Sequence, residues 1–507
     1  MRITFTICLL ILCVITLCAR EVNGDTLTVE GKKILKVWGT HDERGYAHGY
    51  LMGQQIREVA LEYFLGGVFG NNPYYYEETR NYFLVHFLVE EKYQTEVSSM
   101  ITGMVDAGVD IYSEVLERDL DGTDLFMANS VVDFVALNMY VDTYQFGCSS
   151  MSSWGQSTAN DPELQGEPLI TRNMDWTPNP VVLDNHLLMV QIPAEENELA
   201  WVAFTFSGLI GALSGINEAG ISAFMNMGNI NSYDDENQLH PVFLTIRNGL
   251  EQCDYNNDGN NDTSDIHAAV EDKLHLSASI IHAVDNDDAL IIECNNTSGT
   301  VVRTVDHNQI ICGTNLVATN HFRLLYPPVY CDRYQHFADS LSADSCMTID
   351  RSWQVTTGAG GVSHNLHTIQ FVPGSGLIKW STAKPGHPAY TLPPTLFYLQ
   401  DLLVPGSTTG DHLISGQELD IVVCPNPFGY STSISFTLPS PQSVILSLYN
   451  IKGQLIRELA GNDIHDSRQC LSWDGRDAAG NRTGSGIYLY RLEIPGRLAT
   501  GRIIKIN

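Results

Sequence analysis

Apolar and polar residues follow three successive textures along this chain. The first, residues 25–147, opens with two short runs, Thr26-Leu27-Thr28-Val29 and Ile34-Leu35-Lys36-Val37, which predict a hairpin around Glu30-Gly31-Lys32-Lys33. Helical spacing then takes over. Glu43-Arg44-Gly45-Tyr46-Ala47-His48-Gly49-Tyr50-Leu51-Met52-Gly53 leads into Ile56 and Val59, and its three glycines predict close contact with a neighbouring backbone. Tyr74 to Leu88, Val97 to Leu116 and Asp124 to Met139 continue the helical pattern.

From Cys148 to about Tyr398 the texture is short strands with two helical stretches. Leu187 to Ile192, Ala200 to Phe206 and Gly220 to Asn226 read as strands, Pro241 to Cys253 and Ile266 to Leu276 as helices. Ser277 to Val284, Ala289 to Cys294, Val301 to Val305 and Ile310 to Thr319 return to strand, and His367 to Val372 with Leu377 to Ser381 forms a hairpin around Pro373-Gly374-Ser375-Gly376. Such an order suits a layered α+β domain with stacked antiparallel sheets. Residues 404–420 are polar and turn-rich, a linker by composition. In the third texture, residues 421–507, Thr432 to Thr437, Val444 to Tyr449, Leu455 to Leu459 and Gly486 to Glu493 largely alternate, which predicts an all-β sandwich.

Ahead of these textures stand Met1-Arg2, an apolar run from Ile7 to Leu17, and Cys18-Ala19-Arg20. This describes a signal peptide over residues 1–24, cut between Ala19 and Gly24, better than a membrane span. Leu17 disfavours a lipid anchor on Cys18. No later stretch is long and apolar enough to span a bilayer. The parts expected are therefore the signal peptide, an N-terminal segment 25–147, a core 148–403, the linker and the C-terminal domain.

Charge narrows the partners. With 59 acidic against 28 basic residues and a net charge of −31, the chain does not suit nucleic acid or anionic membrane surfaces. The eight cysteines beyond the signal are irregularly spaced, without metal-type CxxC pairs. Cys424 and Cys470, in the C-terminal domain, could form a disulfide.

One cysteine has chemical context. Phe146-Gly147-Cys148-Ser149 is followed by Leu169-Ile170-Thr171-Arg172-Asn173-Met174-Asp175-Trp176. If the chain is cut between Gly147 and Cys148, the new α-amine serves as base for the thiol, Asp175 holds the amine, and Arg172 favours thiolate and binds a substrate carbonyl or carboxylate. Residues three apart on a regular strand face opposite ways, so Arg172 and Asp175 share a site only if the strand ends or bulges there. Asn226 and Asn320, at strand ends, are candidate oxyanion donors. Taken singly, Cys148 reads as a small buried hydrophobe or a disulfide half, and each asparagine as a turn former or cap.

In combination these motifs resemble N-terminal-nucleophile hydrolases of the choloylglycine-hydrolase and penicillin-acyltransferase-like group, which includes acid ceramidase and N-acylethanolamine amidase. The shared elements are Cys148, Arg172-Asn173-Met174-Asp175, Asn217-Glu218-Ala219-Gly220, Asn226 and Thr319-Asn320, with Glu43-Arg44-Gly45-Tyr46 to Gly49 upstream and His367-Thr368 downstream. The resemblance implies a four-layer αββα core, self-cleavage before Cys148, and hydrolysis or transfer of an acyl group from a linear amide on a small N-acylated substrate, with no catalytic cofactor. No second arginine of the bile-salt enzymes is matched. The readings set against it are an inert surface binding or scaffold protein and a lipid amidase or phospholipase B-like hydrolase.

Two further patterns concern export and metal. Asp254, Asn256, Asp258, Asn260, Asp262 and Asp265, with Gly259 at loop position 6, have the spacing of an EF-hand loop of the dockerin kind, expected to hold a structural calcium ion; the alternative is a solvated acidic loop. Pro425-Asn426-Pro427-Phe428, Tyr449-Asn450-Ile451-Lys452-Gly453, Trp473-Asp474-Gly475-Arg476-Asp477 and Ser485-Gly486-Ile487-Tyr488 resemble the Ig-like sorting domain of type IX secretion, related to flagellar hook-cap domains. That resemblance implies type IX machinery as a partner and a secreted or cell-surface location; an accessory carbohydrate- or protein-binding sandwich is the alternative.

Overall fold

In the computed structural model, residues 20–135, 147–404, 421–437, 444–450, 454–461, 468–494 and 497–506 are described, apart from 231, 233, 235 and 361. Most of the expected signal peptide, most of the linker and the end of the helix expected up to Met139 lie outside them.

Helices and strands are mixed, in keeping with the α+β expectation. A nine-stranded sheet runs, in spatial order, Gly24–Val29, Lys32–Gly39, His186–Pro193, Trp201–Phe206, Ser214–Asn217, Ser222–Met227, Ser279–Val284, Ala289–Asn295 and Gly299–Arg303. A six-stranded sheet runs Asn315–Ala318, Gly147–Ser153, Leu169–Asp175, Asn365–Val372, Leu377–Thr382 and Thr395–Tyr398. One apolar cluster draws Leu188, Val202, Phe204 and Ile280 from the first sheet and Ile170, Leu316, Ile369 and Trp380 from the second, so the two sheets bury a common face. Alternation sends the other residues outward. Leu187, Met189 and Ala203 pack with Met100, Phe64 and Phe243 of the helical elements, while Met151 and Val317 pack with Phe337 and Val355.

The N-terminal segment is woven into this arrangement. Lys32–Gly39 pairs in parallel with His186–Pro193, and Lys36 stands opposite Val190. Thr40 and Glu43 form a capping box that starts the helix His41–Arg57, which continues as π-helical turns over Glu58–Val68. The glycines do what their spacing predicts: a Cβ on Gly45 would lie 1.9 Å from the Glu96 carbonyl oxygen, and one on Gly49 1.9 Å from that of Met100. Only residues without a Cβ allow the helices His41–Arg57 and Glu91–Asp106 this approach.

An ion network fills the polar part of the same contact. From the segment, His41 reaches Glu96 at 2.7 Å and Glu198 at 3.0 Å, and Lys92 reaches Glu251 at 2.8 Å. From the core, Arg247 binds Glu96 and Glu251 at 2.7 Å each, while Arg44 of the segment binds Glu198 at 3.0 Å. Burial opposes protonation of His41, but its bonds to Glu198 and Glu96 prevail and raise its pKa. Beside the network, the Asp133 carboxylate accepts from the Val242 N–H at 3.2 Å, at the start of the helix Val242–Glu251, and from the Ser277 hydroxyl at 3.1 Å.

Several boundaries differ from the sequence pattern. The helix expected from Val97 to Leu116 spans Glu91–Asp106, because Gly108 turns the chain at φ 79°, and a small pairing of Tyr112–Ser113 with Arg118–Asp119 follows. Ile310 to Thr319 shortens to Asn315–Ala318 after Gly313 at φ 75°, and Ile266 to Leu276 becomes Thr263–Glu271, capped by Asp262. Two helices, Asp332–Ala343 and Ile349–Ala359, lie where no element was expected.

In the C-terminal region a three-stranded and a four-stranded sheet share a core of Phe428, Ile434, Leu446, Trp473, Tyr490 and Ile503. The possible pairing of Cys424 with Cys470 is not formed at Cys424. Cys424 is a free thiol facing Ser433, whereas Cys470 pairs with Ser435 from the other side of the strand Thr432–Thr437.

Candidate active site

Cys148 lies at the start of the strand Gly147–Ser153, second from one edge of the six-stranded sheet. Its neighbour strand Leu169–Asp175 runs antiparallel, placing Gly147 opposite Asp175 and Ser150 opposite Arg172. Arg172 points toward the nine-stranded sheet. Its Nη1 donates to the Leu213 carbonyl at 3.3 Å and to the Ser214 hydroxyl, and its Nη2 donates to the Met225 carbonyl and stands 3.5 Å from the Cys148 Sγ. Burial lowers the Arg172 pKa, which the Cys148 and Asp175 partners counter.

Asp175 faces the opposite way. Its carboxylate accepts from Arg333 Nη1 at 3.1 Å and from Asn365 Nδ2 at 3.1 Å. Burial pushes this carboxyl up to about 7, against the pull of the Arg333 guanidinium. No bulge in Leu169–Asp175 is needed for the two residues to meet one cysteine. The strand ends at Asp175, so Arg172 approaches the thiol from one face while Asp175 waits beside the backbone of Gly147. The irregular register falls instead on the facing strand, between Asn365 and His367.

Asn320 closes the ring. Its Oδ1 accepts from the Cys148 main-chain N–H at 2.8 Å and from Arg333 Nη2 at 2.6 Å, and its Nδ2 donates to the Met227 carbonyl at 2.8 Å. Arg333 Nη1 also donates to the Cys148 carbonyl at 3.0 Å. Sequence reasoning missed Arg333. The usable signal was a basic residue thirteen positions after Asn320, but it sits in an unexpected helix and in no recognisable motif. Asn226 is buried next to Met225, and neither polar atom of its side chain has a hydrogen-bond partner. It stands apart from the contacts that join Cys148, Arg172, Asp175, Asn320 and Arg333.

A cavity of about 720 Å³, including space open to solvent, adjoins the thiol. The N-terminal segment supplies Val59, Phe64 and Val132 to its wall, and the core supplies Leu209, Leu213 and Phe243. Trp176 lines the same space, with its indole N–H on the Tyr63 hydroxyl. Beside the opening, Gly147 is hemmed in: a Cβ there would lie 2.7 Å from Arg333 Nη1 and 2.9 Å from Asp175 Oδ2. A larger residue at this position would have to displace the ends of the Arg333 and Asp175 side chains.

The acidic loop has mixed features. It joins the helices Val242–Glu251 and Thr263–Glu271, and Gly259 takes φ 91° at the expected turn. Asp254 accepts from the main-chain N–H groups of Asp258 at 2.8 Å and Gly259 at 3.0 Å, while Asp262 caps the following helix and Asp265 accepts from Asn256 N–H at 3.2 Å. Asn260 N–H is held by Asp258. Among the described residues, three ligand-bearing side chains within 4.8 Å of one another occur at His41, Glu198 and Glu251, a group already engaged by Lys92 and Arg44.

No protein-family model matches the chain, and no curated protein does. Among solved structures, the chain is similar to a Caenorhabditis elegans N-acylethanolamine-hydrolyzing acid amidase ortholog, at 19% identity over 45% of this chain and 93% of that one, with a TM-score of 0.34. It is similar to penicillin V acylase from Agrobacterium tumefaciens at 12% identity over 52% and 89%, with a TM-score of 0.32. It is also similar to PorZ, a surface component of the type-IX secretion system of Porphyromonas gingivalis, at 21% identity over 26% and 15%, with a TM-score of 0.15.

Proposed function

We propose that this chain is an exported, self-processing cysteine amide hydrolase or acyltransferase with a four-layer αββα N-terminal-nucleophile core. The observation that carries the reading is the set of contacts on the main chain of Cys148: Asn320 on its N–H, Arg333 on its carbonyl, Asp175 against Gly147 and Arg172 beside its thiol. A structural cysteine has no use for polar side chains on its peptide nitrogen, its carbonyl and its sulfur at once. They suit a residue whose nitrogen becomes a free amine.

In processing, the Cys148 thiol attacks the Gly147 carbonyl carbon. The C–N bond breaks as the thioester forms, the nitrogen takes the proton, and water then hydrolyses the thioester to a Gly147 carboxylate and a free thiol. The released α-amine, held by Asp175, draws the thiol proton in each turnover, and the thiolate attacks the substrate amide to give an acyl thioester. Arg172 stabilises the thiolate. Asn226 and Asn320 are proposed as oxyanion donors; for Asn320 this requires Nδ2 to leave the Met227 carbonyl that it holds in the uncut chain. The apolar cavity suits an aliphatic or aromatic acyl group. Because Lys32–Gly39 is a strand of the large sheet and the ion network crosses the same contact, the released segment stays bound and keeps the cavity wall intact.

The C-terminal sheets are proposed as the Ig-like type IX sorting domain, and the loop 254–265 as a structural calcium site outside the reaction. The deciding experiment is N-terminal sequencing of the mature protein. A larger fragment beginning at Cys148, and a Cys148→Ala chain that stays whole, are expected. An uncut wild-type chain with amide hydrolysis equal to that of Cys148→Ala would leave the scaffold reading.

A further inference from the structure

One buried carboxylate grips the stretch between Asn320 and Arg333. Glu293 accepts from the main-chain N–H groups of Arg323, Leu324 and Leu325 at 2.9, 2.8 and 2.9 Å, and from Arg303 Nε at 3.1 Å. Arg303 is 1% exposed and donates from Nη2 to the Val317 carbonyl at 2.7 Å, three residues before Asn320. The oxygens of Glu293 are thus spent on the main chain and on one arginine.

A second arginine shares the cluster. The Arg323 guanidinium lies 3.9 Å from the centre of the Tyr334 ring, and its Nη1 donates to the Val329 carbonyl at 2.8 Å. Its carboxylate neighbour is again Glu293, while Asp332 hydrogen-bonds the exposed Tyr330 hydroxyl. Arg303 Nη1 and Arg323 Nε and Nη2 are buried donors without a partner, and the Nδ1 of the adjacent His321 also lacks one. Burial lowers the Arg323 pKa, and Arg303 lowers it further. Glu293 bonds the Arg303 guanidinium and the Arg323 main chain, and the Arg323 guanidinium is held by Tyr334 and one carbonyl, which leaves an excess positive charge and unfilled donors, the environment that a small anion satisfies.

We propose that Arg303 and Arg323 form a binding site for one small monovalent anion, a halide or a carboxylate, beside the loop that carries Asn320 and Arg333. The bound anion relieves the repulsion between the two guanidiniums and fixes the loop, so its occupancy is felt at Cys148. A free halide and the carboxylate on the amine half of an N-acyl amino acid share this chemistry.

The test uses the full-length protein as it matures. Unfolding midpoints are compared in sodium chloride, sodium bromide and a bulky sulfonate at equal ionic strength, and bromide-soaked crystals are searched for anomalous scattering between Arg303 and Arg323. A saturable rise of about 2–4 °C in the halides and a bromide peak are expected. Arg323→Gln should lose both, and Arg323→Lys should keep part of the rise, which separates loss of the site from loss of the fold. The source is read from an N-acyl glycine and an N-acyl ethanolamine of one acyl chain. Chloride raising KM for the glycine amide alone assigns the site to the substrate carboxylate; chloride acting on both alike assigns it to a resident halide. Equal midpoints in all salts, no bromide peak and no chloride effect on either substrate would overturn the proposal and leave the donors to water. The midpoint and scattering readouts do not depend on Cys148, so they stand whether or not the chain proves to be an amidase.

Discussion

Two of the buried polar clusters among the described residues are finished differently. In the network between the N-terminal segment and the core, Glu96, Glu198 and Glu251 meet His41, Arg44, Lys92 and Arg247, and among the described side chains of that group only Arg44 Nε lacks a partner. Around Cys148 and the loop beyond it, Arg172 Nε, both polar atoms of Asn226, Arg303 Nη1, Arg323 Nε and Nη2 and His321 Nδ1 all lack one. Buried charge is tolerable when paired and costly when not, so a closed network reads as a joint and an open one as a place for a ligand or a transition state.

Substitutions can break or sharpen that contrast. Replacing the nucleophile has the largest effect: Cys148→Ala should abolish self-cleavage, seen by intact mass, and reduce amide turnover by at least about 10³-fold, with the unfolding midpoint nearly unchanged. In the closed network the sign reverses. Arg247→Met takes from Glu96 and Glu251 the buried guanidinium they share, leaving them His41 and Lys92, and should cost about 3–5 kcal/mol in denaturant unfolding, while each folded molecule cleaves as before. A fall in kcat without a fall in stability there would dissolve the distinction. Arg333→Lys keeps a charge but cannot span Asp175, Asn320 and the Cys148 carbonyl, so turnover should fall by about 10²-fold at near-native stability.

The smallest effect is a pH dependence. His41 has a raised pKa in the folded state, so its stabilising contribution is complete below about 6.5, the usual imidazole value, and is lost as pH rises through the higher folded value. The wild-type midpoint should therefore sag above neutrality more than that of His41→Gln. Equal slopes in thermal scans across pH 6 to 9 would show that His41 stays neutral in the network.

Legibility tracked how local the cause was. The hairpin of Gly24–Val29 with Lys32–Gly39, the glycine face of His41–Arg57 and the strands Trp201–Phe206 and Leu377–Thr382 were readable, because period and turn chemistry act over a few residues. Gly108 and Gly313 cut two elements short through positive φ, which spacing alone did not weigh. The helix bearing Arg333 was hidden, since Asp332–Ala343 packs a modest apolar face of Tyr334, Phe337 and Leu341 after a proline-containing loop.

The sequence by itself determined the α+β texture and the order Cys148, Arg172, Asp175, Asn226 and Asn320. Tertiary structure decided which of these meet. Arg172 and Asp175 leave opposite faces of one strand and converge because Cys148 stands at its end, Asn226 stays outside the contacts, and Arg333 enters from a helix far along the chain. Pairing across more than 150 residues depends on sheet register and layer packing, and those are set by the whole buried core, not by any short stretch.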